Sequence, residues 1–541
     1  MQRHGDDEGA QGRWDRANKI AKCCLDVYQS LPARGAKPAI RSDGKWEWTI
    51  LAGVVLCIAS EDGEVCYIPI SIATGVKALP YDDLSIHGDV LHDCHAEVLA
   101  RRIARAWLLQ RLVHEVLRTR GRSDMLKTTT NSDKRIPFLF QEEQTKYQQP
   151  RWRLREDIVS LHLYCSTLPC GDASNAMVLQ RRQALDGDNK DDGPVRSTGT
   201  AANSIASTGP IRGRSTLSMT ETSLRTKPGR PDSLPSISMS CTDKICMWAL
   251  CGLQGSSLSR WLEPVRFASI IVSDEALRSV KLSSSASPSA DEGWTQEDRD
   301  EASARCTEIL SAKIDPRRAP IPQIIFSSVP FPHSRESVEV AVTGANPNAN
   351  IRGAASDDLD LVPAPGSIAY MAGATRHENL VEGRKQGAST KRRPGEALRP
   401  STRSAFCKLE WFNACSSAVD DLDRGNGGER EGSATYHASK HDMSSVGVEA
   451  YRRTKEQLRG YRDGDVRAKH IVDDFLAQHR PMSTQHGLNS GGAPERRSSC
   501  GERALGVSKE TDDVSPFHGW LVSGSAFELF DRQGRSKVIK D

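Results

Sequence analysis

Residues 91–99 read LHDCHAEVL, and the reading of this stretch decides the fold. His95 and Glu97 stand two apart at the head of a segment, Glu97 to Val116, whose apolar residues recur at helical spacing. An imidazole at the start of such a helix can hold a metal ion. A carboxylate beside it that is not itself a ligand can move protons for a metal-activated water. His-x-Glu is common by chance, so the pair carries weight only if thiolates complete the site.

The first thiolate candidate is Cys170, in LPCGDAS at Leu168 to Ser174. It follows an apolar, β-branched run, Ile158 to Thr167, which reads as a buried strand ending before Pro169. Ala173 to Arg182 can start a helix with Asp172 at its cap, and a helix N-terminus favours a thiolate. The zinc-deaminase signature asks for a second cysteine three residues after the first. That position is Ala173, so the remaining ligand lies elsewhere. Of the 14 cysteines, Cys23, Cys24, Cys57, Cys66 and Cys165 sit in apolar runs and read as core packing. Cys94 adjoins His95, but neighbouring side chains diverge. Cys241, in SMSCTDK, stands just before a helical pattern that runs through Ile245, Trp248 and Leu253. It fits best by context, with Cys246 and Cys251 as competitors.

Taken together, HDCHAEVLARR (His92 to Arg102), LPCGDAS, LRTKPGRPD (Leu224 to Asp232), SMSCTDKI with GLQGSSLSRWLEPV, YHASK (Tyr436 to Lys440) and a tail from Trp520 to Phe530 resemble the adenosine deaminases acting on RNA, the A-to-I editases. The tRNA-specific branch is the most similar. The resemblance runs from Trp14 to Asp531. It implies a cytidine-deaminase-like three-layer α/β core around a central mixed sheet, extended by a helical C-terminal part. It also places the third metal ligand on Cys241. Zinc held by His95, Cys170 and Cys241 would leave a position for water, and Glu97 would shuttle protons during hydrolytic deamination of adenosine to inosine. Two alternatives stay open: adenosine deamination in other structured RNA, and a non-catalytic RNA-binding homologue. A cytidine or free-nucleoside deaminase is disfavoured by the missing Pro-Cys-x-x-Cys.

The resemblance further implies a buried inositol hexakisphosphate, a dense polyanion that needs many cationic and hydroxyl donors. The matching positions are Arg101, Arg102, Lys244, Ser256, Lys408, Tyr436, Lys440, Tyr451, Lys455 and Trp520. Met247, His92, Val522 and Ser523 depart from the family pattern, so fewer contacts are expected. Substrate choice is read from two features. The match begins close to the first residue, with no room for a separate duplex-RNA-binding module. The loop KPGRPDSLP at Lys227 to Pro235 differs from the one that fills the space of a flipped base. An anticodon-loop adenosine is already unpaired and costs less to extrude. Both features favour tRNA; the resemblance then implies adenosine 37 of alanine tRNA as the substrate, with Lys77, Arg225, Lys227 and Arg230 as candidate phosphate contacts.

The composition fits an intracellular enzyme. The net charge is only +3, so any RNA-binding surface is local. There is no signal-peptide core near the first residue and no apolar run of membrane-spanning length. Irregular cysteine spacing points to a reducing compartment. No obligate protein partner is evident. One domain is expected over residues 14–535, after a disordered stretch at 1–13, with polar inserts near 185–222, 283–296, 344–360, 420–434 and 482–513. Trp48 to Ala59, Val65 to Ile72, Arg266 to Val272 and Gln323 to Phe331 read as strands. Thr402 to Ser416 and Val446 to Gln478 read as helices. The basic run Arg384-Lys385 and Lys391-Arg392-Arg393 reads as a solvated loop.

Overall fold

Leu51–Ala59 is apolar at nearly every position because both its faces are covered. Ala52, Val54, Leu56 and Ile58 pack into one core, while Leu51, Val55 and Cys57 pack into another. A strand buried on both sides reads as a continuous apolar run. In the computed structural model the described residues are 9–60, 62–122, 136–143, 149–174, 210–212, 224–227, 233–279, 294–345, 360–423, 434–462, 466–479 and 515–537.

The central sheet has eight strands: β1 (Leu51–Ala59), β2 (Val65–Thr74), β3 (Val159–Cys165), β4 (Ser269–Ser273), β5 (Gln323–Ser327), β6 (Gly366–Met371), β7 (Glu378–Val381) and β8 (Arg384–Lys385). Their order is β5-β4-β3-β1-β2-β6-β7-β8. The β5/β4 and β4/β3 pairs are parallel and the others antiparallel, so the sheet is mixed. β2 carries an extra residue: Val54 opposes Ser71, but Val55 opposes Pro69. Proline lacks the ladder N–H, and a bulge is where an interior strand tolerates it.

Helix α1 (Ala10–Ser30) covers one face of the sheet with Ala17, Ile20, Ala21, Cys24, Leu25 and Tyr28. Helix α2 (Ala96–Thr119) covers the other with Leu99, Ile103, Ala104 and Leu108. This is the expected three-layer α/β core. On the α2 side lie α3 (Cys241–Cys251), α4 (Gln296–Ser311), α5 (Lys408–Asp423), α6 (Tyr436–Lys440), α7 (Val446–Arg459) and α8 (Val466–His479). The last four form the helical C-terminal part.

Several boundaries differ from the reading of the sequence. Helix α1 begins at Ala10, inside the stretch expected to be disordered. Trp46–Trp48 leaves the main sheet and pairs with Leu361–Pro363. The single helix expected over Val446 to Gln478 is two helices, because Gly460 caps α7 in the left-handed conformation at φ 76°. Helix α5 starts at Lys408 rather than Thr402. Thr295 and Asp298 form a capping box that starts α4, inside the expected insert 283–296. The other inserts fall largely outside the described residues. Cys66 is exposed near the start of β2, whereas Cys24, Cys57 and Cys165 are core residues as expected. The cysteines among the described residues are all free. Among those residues, no helix is long and apolar enough to cross a membrane.

One contact places the His95 turn. Residues 75–79 run beside 92–96: Leu79 N–H donates to the His92 carbonyl (2.9 Å), Cys94 N–H to Lys77 (2.9 Å) and Ala96 N–H to Gly75 (2.9 Å). Gly75 has φ +138°, and a Cβ there would lie 2.2 Å from both the Cys94 carbonyl and Ser367 Oγ. Gly75→Ala is expected to cost at least about 1–3 kcal/mol of backbone strain, read as a lower midpoint in denaturant unfolding. An unchanged midpoint would show that the approach is not tight.

Candidate active site

Three separate segments bring the expected ligands together. His95 is the N-cap of α2, Cys170 follows β3, and Cys241 opens α3. Asp93 Oδ1 accepts from the His95 backbone N–H (3.0 Å) and pairs with His95 Nδ1 (2.9 Å). This fixes the ring and leaves Nε2 for a metal, the usual role of a carboxylate behind a ligating histidine. Cys241 N–H donates to Cys170 Sγ (3.3 Å). The side-chain hydrogen bond from Cys241, helped by Lys227 and His95, holds the Cys170 thiol well below its usual pKa. Burial and the charge on Cys170 push Cys241 the other way.

Glu97 lies in the first turn of α2 and is wholly buried, with no hydrogen-bond partner for Oε2. Burial, then the neighbouring Cys170, raise its pKa above the ordinary carboxyl value. The ligand atoms of His95, Cys170 and Cys241 do not all lie within 4.8 Å of one another. Among the described residues, only His437, His441 and Glu528 bring three such ligand atoms within 4.8 Å of one another. That second group is a poor cation site. Glu528 is ion-paired with Lys440, and Arg452 lies near His441, so a divalent ion there would meet like charge. The two stacked imidazoles (4.2 Å) belong to the basic cluster described below. The His95, Cys170 and Cys241 set, with an orphaned carboxylate beside it, is the donor set that fits a catalytic metal.

Two of the expected RNA contacts lie inside the protein rather than on its surface. Lys227 is 3% exposed, and its Nζ donates to Asp93 Oδ2 (2.9 Å) and to Cys241 Sγ (3.1 Å). Arg225 is also buried, and its Nε donates to Asp172 Oδ1 (2.6 Å). Both cations are ion-paired inside the protein. Lys77 is exposed on the loop beside the His95 turn, and Arg230 lies outside the described residues.

A basic cluster, most of its cations half-buried, lies further along α2. Arg101 packs over the Trp248 ring (5.0 Å), its Nε has no acceptor, and burial pulls its pKa down to about 9. Arg102 Nη1 donates to the Phe406 carbonyl (3.4 Å). Lys408 Nζ donates to the Phe527 carbonyl (3.4 Å), and burial pulls its pKa down to about 8. Tyr436 stacks on Phe530 (5.3 Å), and Tyr451 and Trp520 are buried. Ser256 Oγ donates to the Lys440 carbonyl (2.5 Å), and Lys455 is half-buried on α7. Lys244 is placed differently from the rest. Its Nζ donates to Asp93 Oδ2 (2.5 Å) and Ser238 Oγ (2.7 Å), between the cluster and the thiols.

The sequence reading missed Arg105, one turn beyond Arg101, which is half-buried over Trp411 (4.2 Å). It also missed Arg452, which is 1% exposed and pairs with Glu456 (3.3 Å). The i, i+4 step from Arg101 was the available signal for Arg105. Of the departing positions, Met247 is buried beside Cys251 (3.6 Å), and His92 packs edge-on to Phe527 (6.3 Å). Val522 and Ser523 are half-buried. Of the basic run, Arg384 pairs with Glu382 (2.5 Å), Lys385 with Glu378 (3.2 Å) and Arg392 with buried Asp89 (3.0 Å). Much of its charge is therefore neutralised.

Residues 71–288 match the adenosine-deaminase (editase) domain family. That range contains His95, Glu97, Cys170 and Cys241. The chain is 33% identical over 259 residues to the tRNA-specific adenosine deaminase 1 of Schizosaccharomyces pombe, covering 47% of this chain and 56% of that protein. It is 35% identical over 232 residues to the protein of the same name from Saccharomyces cerevisiae, covering 42% and 51%. It is 33% identical over 226 residues to the mouse double-stranded RNA-specific editase B2, covering 41% and 26%. The chain thus spans about half the length of the first two relatives. The matched range holds the thiol pair, the imidazole and the buried Glu97 carboxyl. Residues 408–530 supply much of the basic cluster from outside it.

Asp93→Asn keeps the shape behind His95 but removes the charge. It is expected to lower divalent-metal affinity by about 10–100-fold, measured by competition with a chelator. Unchanged affinity would mean that Asp93 does not set the ligand.

Proposed function

We propose that the chain is a zinc-dependent hydrolase that converts adenosine to inosine in tRNA. Glu97 carries this reading: a wholly buried carboxyl with one unpartnered oxygen, next to a thiol pair and an imidazole. An unpaired buried acceptor is costly to keep, and a ligand bearing a proton would satisfy it. One imidazole and two thiolates are a three-donor set suited to zinc, which when bound supplies a water of lowered pKa in its open position. Glu97 Oε2 accepts a proton, delivers it to N1 of the adenine ring and assists the departure of ammonia. The raised pKa of Glu97 suits this work, because a carboxyl nearer the working pH both takes and returns a proton. Asp93 keeps the His95 ring turned, and Lys227 keeps Cys241 in place.

The names of the fungal relatives support tRNA as the substrate class. Within it we assign adenosine 37 of alanine tRNA, an unpaired base that is cheap to extrude. Lys77, exposed beside the His95 turn, is the phosphate contact we assign. The free thiols suit a reducing, intracellular setting.

The cluster gathers Arg101, Arg102, Arg105, Lys408, Lys440 and Arg452, with Glu528 on Lys440 and Glu456 on Arg452. We assign it inositol hexakisphosphate, a polyanion whose phosphates suit such a gathering of cations. Without the polyanion Lys408 has its pKa at about 8, well below an ordinary lysine. A bound polyanion favours the charged amine, so binding above pH 8 takes up a proton. Affinity is expected to fall as pH rises past 8, by up to about tenfold per unit. Calorimetric titration with inositol hexakisphosphate in buffers spanning pH 7 to 10 measures this, and a flat profile would remove Lys408 from the site.

Glu97→Ala is expected to keep its metal and lose about 10²–10⁴-fold in single-turnover inosine formation. Alanine tRNA, duplex RNA and free adenosine serve as parallel substrates. Full activity in the metal-loaded variant would end the proposed mechanism. Activity of the parent protein on duplex RNA alone would replace the substrate assignment.

A further inference from the structure

Asp172 stands two residues after Cys170, and Asp243 stands two residues after Cys241. Both carboxylates turn inward to one amine. Lys313 Nζ lies 2.6 Å from Asp172 Oδ2 and 2.5 Å from Asp243 Oδ1, and its side chain is 0% exposed. Lys313 comes from the loop after α4, beyond the residues that match the editase family. We infer that Lys313 is a positioning residue that fixes the separation of the two thiolate loops. This rests on the metal reading of Cys170 and Cys241.

The geometry leaves each loop little freedom. Arg225 binds both carboxylates from the opposite side: its Nε donates to Asp172 Oδ1 (2.6 Å) and its backbone N–H to Asp243 Oδ2 (3.0 Å). Two acids therefore face two bases, a balanced set. Ser240 Oγ donates to Asp243 Oδ2 (2.7 Å), which holds the N-cap of α3. Thr242 N–H donates to the Cys170 carbonyl (3.0 Å). Gly171 sits at φ +113°, so close that a Cβ would lie 2.4 Å from Ser240 Oγ. The loops touch directly, and the ammonium ties them from below. Burial alone would lower the pKa of Lys313, but Asp243 and Asp172 hold it above the ordinary lysine value.

Lys313 reaches the two thiolate loops through Asp172 and Asp243. A single charge shared by both loops links the positions of the thiolates. Removing it leaves two carboxylates to repel each other across the gap between the cysteines. The carbonyl and Ser240 contacts survive its loss, so the fold can persist while the ligand spacing relaxes.

The test is Lys313→Met in the full chain, with Asp172→Asn as a second variant that weakens the same tie while keeping the lysine. Circular dichroism and thermal unfolding establish that each is folded. Each is then loaded with cobalt(II), and the thiolate-to-cobalt charge-transfer band is recorded. Zinc affinity follows by chelator competition. The expected result in a folded variant is a weaker or shifted band and a loss of about 10–100-fold in affinity. A folded variant with the parent band and affinity overturns the inference. If Lys313→Met does not fold, Asp172→Asn decides on the same two readouts. If the parent protein itself shows no thiolate band with cobalt, the metal reading fails and the inference falls with it.

Discussion

A carboxylate taken out of water must be matched by donors, and at Asp93 that demand organises the site. Its two oxygens accept from the His95 backbone, Ser238, Lys227 and Lys244, and one pairs with the His95 ring. Desolvation alone would drive it to protonate, but Lys227 and Lys244 hold its pKa well below the usual range. Breaking one partner of a buried ion pair typically costs about 3–5 kcal/mol. The helix start bearing His95, the segment bearing Lys227 and the approach to Cys241 are therefore held by one group. Hydrophobic packing brings the layers together without specifying ångström-scale positions. This carboxylate does.

The same physics operates with the opposite sign along α2. Arg101 and Arg105 cross the core side of the helix, where apolar residues would be ordinary. Their rings of contact, Trp248 and Trp411, screen the guanidinium faces and leave the edges to find acceptors. Helices α5 to α7 thus meet α2 partly across charge. The cohesion of this part depends on what neutralises that charge, whereas the α1 face is held by Leu51, Val55, Tyr164 and other buried apolar side chains.

What was legible in the sequence follows from the range over which each residue acts. β1 and β2 declare themselves by local apolar runs, and α2 by its spacing. His95, Glu97 and Cys170 stand out because few other residue types could do their chemistry, and Cys241 followed from the resemblance. Arg225 and Lys227 were misread as surface contacts because their partners lie 53 and 134 residues away. A basic residue looks solvated until its counter-charge is known. Lys313 and Arg105 were missed for the same reason. Helix α1 is a different case. Ala17, Ile20, Ala21, Cys24, Leu25 and Tyr28 do recur at helical spacing, but small residues weaken the signal. The break at Gly460 is a backbone effect of one residue inside a continuous pattern.

The Asp172–Arg225 ion pair also closes a ring of chain. It joins residues 53 apart, and both ends are anchored to the cysteine loops. Closing a flexible loop costs free energy that grows only with the logarithm of its length, about 0.6 kcal/mol per doubling. The thiolates are therefore insulated from how much chain lies between those two residues. An interval fastened this way can change in length at small cost. It is equally a place to graft a reporter domain without touching the chemistry.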